Sequence, residues 1–268
     1  MTSGLAPGGP FPWIIVRLQP LREADVIVTL LGAEAGRVDA VARGARSSRK
    51  RFAGSLRLFC EVTAVLEPPR RGTLATLVAA DLCSDWLGDA VGYDALCLAS
   101  YATELALHAS QPGHADPELH AWLASCLAAA GRLGRAEATD APGTAGHLRR
   151  SRLAVEAGFL RVVGQFPDLA HCARCGAPTT RGAVWPPAAE GPLCPDCAVD
   201  GIRLSALALA ALARLAAGQP SNVPPPLRPI EERLAERMAQ AIPKPLRSAG
   251  ALREAVAAEA ARNLATRS

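Results

Sequence analysis

Eight cysteines occur in the 268 residues, and four of them have the spacing of metal ligands. Cys172-Ala-Arg-Cys175 and Cys194-Pro-Asp-Cys197 are two CxxC knuckles separated by 18 residues, inside the window of structural zinc sites. Two residues between cysteines let both thiolates reach one ion while amides of the turn point at the sulfurs. Four thiolates then close a tetrahedron and keep no position open for water. The chemistry expected of Cys172, Cys175, Cys194 and Cys197 is therefore to hold one structural Zn2+, not to hydrolyse anything. Gly176 and Pro195 suit the tight turns required. The competing reading, a pair of cytosolic dithiols or disulfides, is disfavoured because disulfides are uncommon in reducing compartments. His171 adjoins the first knuckle and is read as a neighbour, since four cysteines already suffice. Cys60, Cys83, Cys97 and Cys126 each stand alone among apolar residues and are read as packed core thiols.

A second constellation is electrostatic. Arg43-Gly-Ala-Arg46-Ser-Ser-Arg49-Lys50-Arg51 carries five positive charges in nine residues with no acid, and Arg57 follows. Such density costs repulsion unless a polyanion is the partner. Residues 1–80 hold 11 Arg or Lys against 6 Asp or Glu, whereas the rest of the chain holds 18 against 19, so the net +4 originates entirely in the first third. Nucleic acid is the natural ligand, and Arg43, Arg46, Arg49, Lys50, Arg51 and Arg57 are the candidate phosphate contacts. Each would release counterions and carry little sequence information, so affinity should fall with salt. Phe52 has two readings: a ring on which a base stacks, or a core anchor that closes the loop. The bland reading of the whole run is a solvated, flexible loop.

Catalytic motifs are missing: there is no GxxxxGK[ST], HExxH, GxSxG, or GxGxxG after a strand. Asp81, Asp85 and Asp89 lie at helical spacing and are read as a solvated helix face.

The elements that must position these residues follow from periodicity. Short apolar runs separated by Gly, Pro and charge predict five strands, Trp13–Leu18, Asp25–Leu31, Arg37–Ala42, Leu58–Glu67 and Leu74–Ala80. Gln19-Pro20, residues 32–36 and Pro68-Pro69-Arg70-Arg71-Gly72 supply the reversals. Five short antiparallel strands in 70 residues cannot bury two faces as a flat sheet. A small barrel of the five-stranded OB type fits the count and places the basic loop between its third and fourth strands, on the rim. From Leu82 the pattern becomes helical: Val91, Ala95, Leu98, Ala102 and Leu105 form one stripe, and Leu119–Leu133 and Leu148–Val163 form two more helices. Linkers are expected at 111–116 and 138–146. Ser205 is a candidate cap for a helix to Ala217. Residues 218–229, with five prolines, read as a stiff connector before two last helices, Ile230–Ala241 and Ser248–Leu264.

The fold class expected is α+β and multidomain: an OB-fold β-barrel over 1–81, then an α-helical domain over 82–268 with an inserted four-cysteine zinc ribbon at 170–200. With half the residues apolar and a mean hydropathy of +0.14, wholesale disorder is excluded. No uncharged stretch reaches the roughly 18 residues of a membrane span. The opening MTSGLAPGGPFPW lacks a basic leader and an apolar segment, so a cytoplasmic location is expected.

Taken together, these residues resemble a known family. Leu21-Arg-Glu-Ala-Asp-Val-Ile-Val-Thr-Leu-Leu31, Gly36-Arg-Val38, Val41-Ala-Arg-Gly-Ala-Arg46 and Arg51-Phe-Ala-Gly-Ser-Leu56 resemble the N-terminal domain of the RecO recombination mediators. Gly164-Gln-Phe-Pro-Asp-Leu-Ala-His-Cys-Ala-Arg-Cys-Gly176, the Leu193-Cys-Pro-Asp-Cys197 knuckle and Lys244-Pro-Leu-Arg-Ser248 resemble its later landmarks. The resemblance implies a non-enzymatic DNA repair protein, associated with the nucleoid, that binds single- and double-stranded DNA and anneals complementary strands. It also implies two protein partners, the mediator RecR and the acidic C-terminal tail of the single-strand binding protein SSB, through which the recombinase is loaded on coated DNA. By position it makes Arg43, Arg46, Arg49, Lys50 and Arg51 DNA contacts and the four cysteines zinc ligands. Some relatives lack the cysteines, so zinc would support shape without being needed for annealing. Two rivals remain in other classes: a nuclease or nucleotide-modifying enzyme with catalytic zinc, and an adaptor whose basic loop meets acidic protein tails.

Overall fold

The computed structural model describes residues 11–48, 50–52, 54–69, 72–88, 92–138, 147–187, 189–219, 221, 223, 227–242 and 244–265. Arg49, Asp89, Val91, Arg70 and Arg71, most of the 138–146 linker and four of the five connector prolines lie outside them. The chain divides into two compact units, Met1–Thr144 with Leu246–Ala261, and Ala145–Pro245 with Arg262–Ser268.

In the first unit five strands close a barrel: β1 (Phe11–Pro20), β2 (Val26–Gly32), β3 (Gly36–Ala42), β4 (Cys60–Glu67) and β5 (Ala75–Asp85). Around the barrel the order is β1-β2-β3-β5-β4, with β4 returning to β1. Neighbours are antiparallel except β3 and β5, which pair in parallel at Ala40 with Ala75 and Val41 with Thr76. This is the expected OB-like barrel. Trp13, Ile15, Val28, Leu30, Val62, Leu77 and Phe52 are among the residues that fill it. β3 alternates buried and half-buried residues, as a strand with one covered face should. In β1, Trp13–Val16 are buried without a break, and β2 ends in a similar run. Ile14, Val16 and Leu31 lie outside the barrel's core cluster yet are buried, because helices pack against both strands from outside.

Those helices are α1 (Tyr93–Ala109) and α2 (Pro117–Ala138). Asp116 begins α2 by accepting the Leu119 N–H at 2.9 Å, and Pro117 follows it at the first helical position, where a missing N–H costs nothing. Gly131, inside α2, lets a neighbouring backbone approach: a Cβ there would lie 1.9 Å from the Trp86 carbonyl oxygen. Gly36, with φ +63°, does the same at the start of β3, where a Cβ would lie 1.9 Å from the His114 carbonyl oxygen.

The helix α6 (Ser248–Ala265) belongs mostly to this unit, and Glu104 of α1 fixes its start. The Glu104 carboxylate accepts the Arg247 N–H at 2.9 Å, the Ser248 N–H at 2.8 Å and the Ser248 hydroxyl at 2.5 Å. Burial pushes the Glu104 carboxyl up, but these donors outweigh it and hold the group below its ordinary range.

The second unit contains α3 (His147–Val162), the hairpin β6 (Ala183–Trp185) and β7 (Ile202–Leu204), α4 (Ala206–Ala216) and α5 (Leu227–Ala241). Ser205 caps α4 as expected, its hydroxyl accepting the Ala208 N–H at 3.2 Å. Arg149 of α3 makes a bidentate pair with Glu231 of α5, both bonds at 2.7 Å. Among the described residues no helix is long and apolar enough to cross a membrane.

Several expectations need correction. The helical pattern expected from Leu82 does not start there: β5 runs to Asp85, so Asp81 and Asp85 are strand residues and not a helix face. β4 begins at Cys60, two residues late, because Phe59 takes a left-handed backbone with φ +65°. α5 begins at Leu227 and takes Pro229 into its first turn, where proline is tolerated. Cys60, Cys97 and Cys126 are buried, and burial pushes the thiols of Cys60, up to about 11, and of Cys126 upward. Cys83 is exposed instead, its sulfur 2.9 Å from the Thr63 hydroxyl.

Candidate metal centre and nucleic-acid interface

The two knuckles bring their ligand atoms together. The sulfurs of Cys172, Cys175, Cys194 and Cys197 all lie within 4.8 Å of one another, and those of Cys175 and Cys194 are 3.7 Å apart. Zinc–sulfur bonds of about 2.3 Å in a tetrahedron put sulfurs about 3.8 Å apart, so the separation suits four thiolates around one ion and is far too long for a disulfide. Local backbone explains the gathering. In the first knuckle the Gly176 N–H returns to the Cys172 carbonyl at 2.9 Å, with Gly176 at φ +72°. In the second the Cys197 N–H returns to the Cys194 carbonyl at 3.0 Å. Arg174 joins the two by donating to the Cys197 carbonyl at 2.7 Å, and Val184 of β6 bonds Leu193 in both directions.

Burial opposes ionisation of Cys172, but backbone N–H groups of Cys194, Cys175 and Arg174 aimed at its sulfur prevail and hold the thiol down at about 6. Cys197 is pushed up to about 12 by hydrogen bonding to Cys175 and Cys194. Four cysteine sulfurs gathered this closely suit a thiolate-loving metal ion. His171 stands apart, its Nδ1 2.8 Å from Asp168 Oδ2. Among the described residues no other set of three or more His, Cys, Asp or Glu side chains is so gathered.

The basic loop sits at the barrel rim and is tied down at both ends. At its start, Asp25 Oδ1 accepts the Gly44 N–H at 2.8 Å and the Ala24 carbonyl accepts the Arg46 N–H at 3.2 Å. Inside it, the Arg51 guanidinium donates to the Arg43 carbonyl at 2.7 Å and lies over the Phe52 ring, 5.2 Å from its centroid. At its end, the Arg51 carbonyl accepts the Ala80 N–H, and the Ser55 hydroxyl bonds the carbonyls of Phe52 and Ala80. Arg43, Arg46, Lys50 and Arg51 are exposed, and among the described residues none of them is in an ion pair. The described backbone of the loop is braced, and the charges of Arg43, Arg46, Lys50 and Arg51 have no carboxylate partner among the described residues.

Two candidates are placed differently from the others. Phe52 is 2% exposed inside the barrel core, so its ring has no face to offer a base. It is the core anchor of the two readings. Arg57, still exposed, pairs with Asp85 at 2.7 Å through one guanidinium nitrogen, so a carboxylate competes there with any phosphate. Arg49 lies outside the described residues. Arg22, not among the candidates read from sequence, is also exposed, on the β1–β2 turn whose Ala24 and Asp25 hold the loop. Its signal was only a lone arginine in a turn, beside Glu23.

A closed five-stranded barrel with a braced cationic rim, helices packed on its outer face and a four-thiol ribbon define a multidomain OB-type protein. Residues 12–86 match the family described as Recombination protein O N terminal, and residues 92–248 match Recombination protein O C terminal. The chain belongs to the RecO family of DNA repair proteins. It is 37% identical to the DNA repair protein RecO of Anaeromyxobacter sp. (strain K) over 210 residues, which cover 76% of this chain and 78% of that one. It is 33% identical to that of Symbiobacterium thermophilum over 219 residues, with the same coverage, and 30% identical to that of Myxococcus xanthus over 209 residues, 77% of this chain and 80% of that one.

Proposed function

We propose that this protein is a non-enzymatic recombination mediator that binds single- and double-stranded DNA through its barrel and anneals complementary single strands. The observation that carries the reading is the set of exposed, carboxylate-free cations Arg43, Arg46, Lys50 and Arg51 on a braced rim. Two strands repel through their phosphates, and a rim that neutralises both lowers the barrier to their meeting. Contacts of this kind position a backbone without reading sequence, as annealing of arbitrary strands demands. We assign the β1–β5 barrel to DNA and the helices after it, with the ribbon, to scaffold and protein contacts. RecR and the SSB tail are the partners through which recombinase loading on coated DNA would proceed, which puts the protein at the nucleoid in the cytoplasm.

The four-cysteine site is proposed to hold one Zn2+. When bound, the ion supplies a fixed tetrahedral crosslink between the knuckles, with no coordination position open to a substrate. Cys172, Cys175, Cys194 and Cys197 would hold it, and Arg174 keeps the two knuckles in register.

The test is binding of a labelled single-stranded oligonucleotide across a salt series. Replacing Arg43, Arg46 and Lys50 by Ala is expected to weaken binding and to reduce the slope of log K against log salt by about 2, since each lost phosphate contact removes about 0.7 for single strands. An unchanged slope overturns the reading. Cleavage of labelled DNA by the purified protein with Mg2+ would overturn its non-enzymatic part.

A further inference from the structure

The rim contains an acid, whose charge would repel an approaching phosphate backbone. Asp25 stands at the end of the β1–β2 turn, half-buried beneath a loop of like-charged residues. Its carboxylate takes the N–H of Gly44, a residue at φ +63°, and its carbonyl takes the N–H of Leu21 at 3.0 Å. The adjoining Ala24 carbonyl takes the N–H of Arg46. One turn thus clamps the backbone on both sides of Ala45. Beyond Arg46 the loop's bonds are of a different kind: Ser47 and Ser48 bond back within the loop, and Arg51 reaches across it. The clamp by residues 24 and 25 is what ties this start to the barrel.

We infer that Asp25 is a positioning residue for nucleic-acid binding: its carboxylate, by holding Gly44, sets the Arg43–Arg46 backbone in the conformation that presents their side chains to a phosphate backbone. The inference rests on the proposed role of the loop and deepens it. A loop ordered before binding loses less conformational entropy when phosphates dock, so the hydrogen bond raises affinity even though the negative charge near it lowers affinity. These two effects have opposite signs and separate cleanly. Asp25→Asn removes the charge and keeps an oxygen that accepts from Gly44. Asp25→Ala removes the same charge and the acceptor. The two variants carry equal charge, so any difference between them belongs to the hydrogen bond.

The experiment is fluorescence anisotropy of a labelled oligothymidylate titrated with the full chain, at several salt concentrations. Wild type, Asp25→Asn, Asp25→Ala and an Arg46→Ala/Lys50→Ala double variant are compared, with thermal midpoints measured in parallel. Asp25→Ala is expected to bind about fivefold more weakly than Asp25→Asn, the usual net worth of one hydrogen bond, with the same salt slope. Asp25→Asn is expected to bind at least as tightly as wild type. Equal affinity of the two Asp25 variants overturns the inference, as does a difference that appears only where the alanine variant is partly unfolded. Asp25→Ser, too short to reach Gly44, replaces the alanine variant if the latter does not fold. If the Arg46→Ala/Lys50→Ala variant binds like wild type, the loop's role itself has failed. If that variant weakens while the Asp25 pair stays equal, only the positioning role has.

Discussion

Arg57 and Arg46 carry the same charge, stand eleven residues apart and are both exposed, but Asp85 lies 2.7 Å from the first and no described carboxylate pairs with the second. An arginine already paired with a carboxylate gives up that partner when it meets a phosphate and so releases fewer counterions. Arg57→Ala is therefore expected to leave the salt slope of DNA binding unchanged, whereas Arg46→Ala alone lowers it by about 0.7. The same binding series reads both. His120 gives a different residue-scale prediction. It is 9% exposed with Nε2 lacking a partner among the described residues, and burial holds its pKa down against a weaker upward pull from Glu61. With the folded value below the unfolded one, the unfolded chain takes up the proton first, so stability is full above the ordinary value of about 6.5 and declines as pH falls through it. Melting curves between about pH 7.5 and pH 5 should show a smaller loss for His120→Gln than for wild type. Local composition made the arginine run legible as a charge. It could not reveal the fates of Arg57 and Phe52, because a partner 28 residues away and a place inside a barrel are products of tertiary pairing.

At the scale of elements, the start of α6 is set by a side chain outside it. Glu104 takes two backbone N–H groups and the Ser248 hydroxyl, the work of an N-cap performed from α1. Glu104→Ala should cost about 1 kcal/mol and lower the melting midpoint by about 2–4 °C. Because the folded carboxyl is held below its ordinary range, this contribution is present above the unfolded value and disappears only as pH falls through the folded one. Gly36→Ala is harsher: the left-handed backbone and the His114 carbonyl both oppose a Cβ, and a loss of at least about 2 kcal/mol is expected in denaturant titrations. The five strands were legible because Val, Ile and Thr runs punctuated by Gly and Pro have few other solutions. Their ends were less so. β5 outlasts its apolar run because Glu61 and Cys60 of β4 continue to pair with Ser84 and Asp85, a cross-strand fact absent from the local pattern. The burial of β1 and β2 on two faces was not read from the sequence; the helices lying on them account for it.

For the whole molecule, the cationic rim and the four-thiol ribbon fall in different units, the rim in Met1–Thr144 and the ribbon in Ala145–Pro245. Metal and nucleic acid are thus expected to be separable. Cys194→Ser should lose about one zinc per chain by atomic absorption and loosen residues 170–200 in hydrogen exchange, while the salt slope of oligonucleotide binding stays at the wild-type value. A parallel loss of both would place the ribbon in the DNA path. The CxxC spacing gave the ligand set away from sequence alone, since its geometry is local to each knuckle. The division into units did not show in the sequence, because no composition shift marks the point where the chain rejoins a structure it left a hundred residues earlier.

That rejoining has a consequence for birth on the ribosome. The barrel and its first two helices are made early, yet the partner that Glu104 awaits, the Arg247–Ser248 corner of α6, is made about a hundred residues after α2. Until then the Glu104 carboxylate lacks the donors that α6 brings to it, and a stalled or nicked chain that stops short of α6 carries the cationic rim on an unfinished first unit.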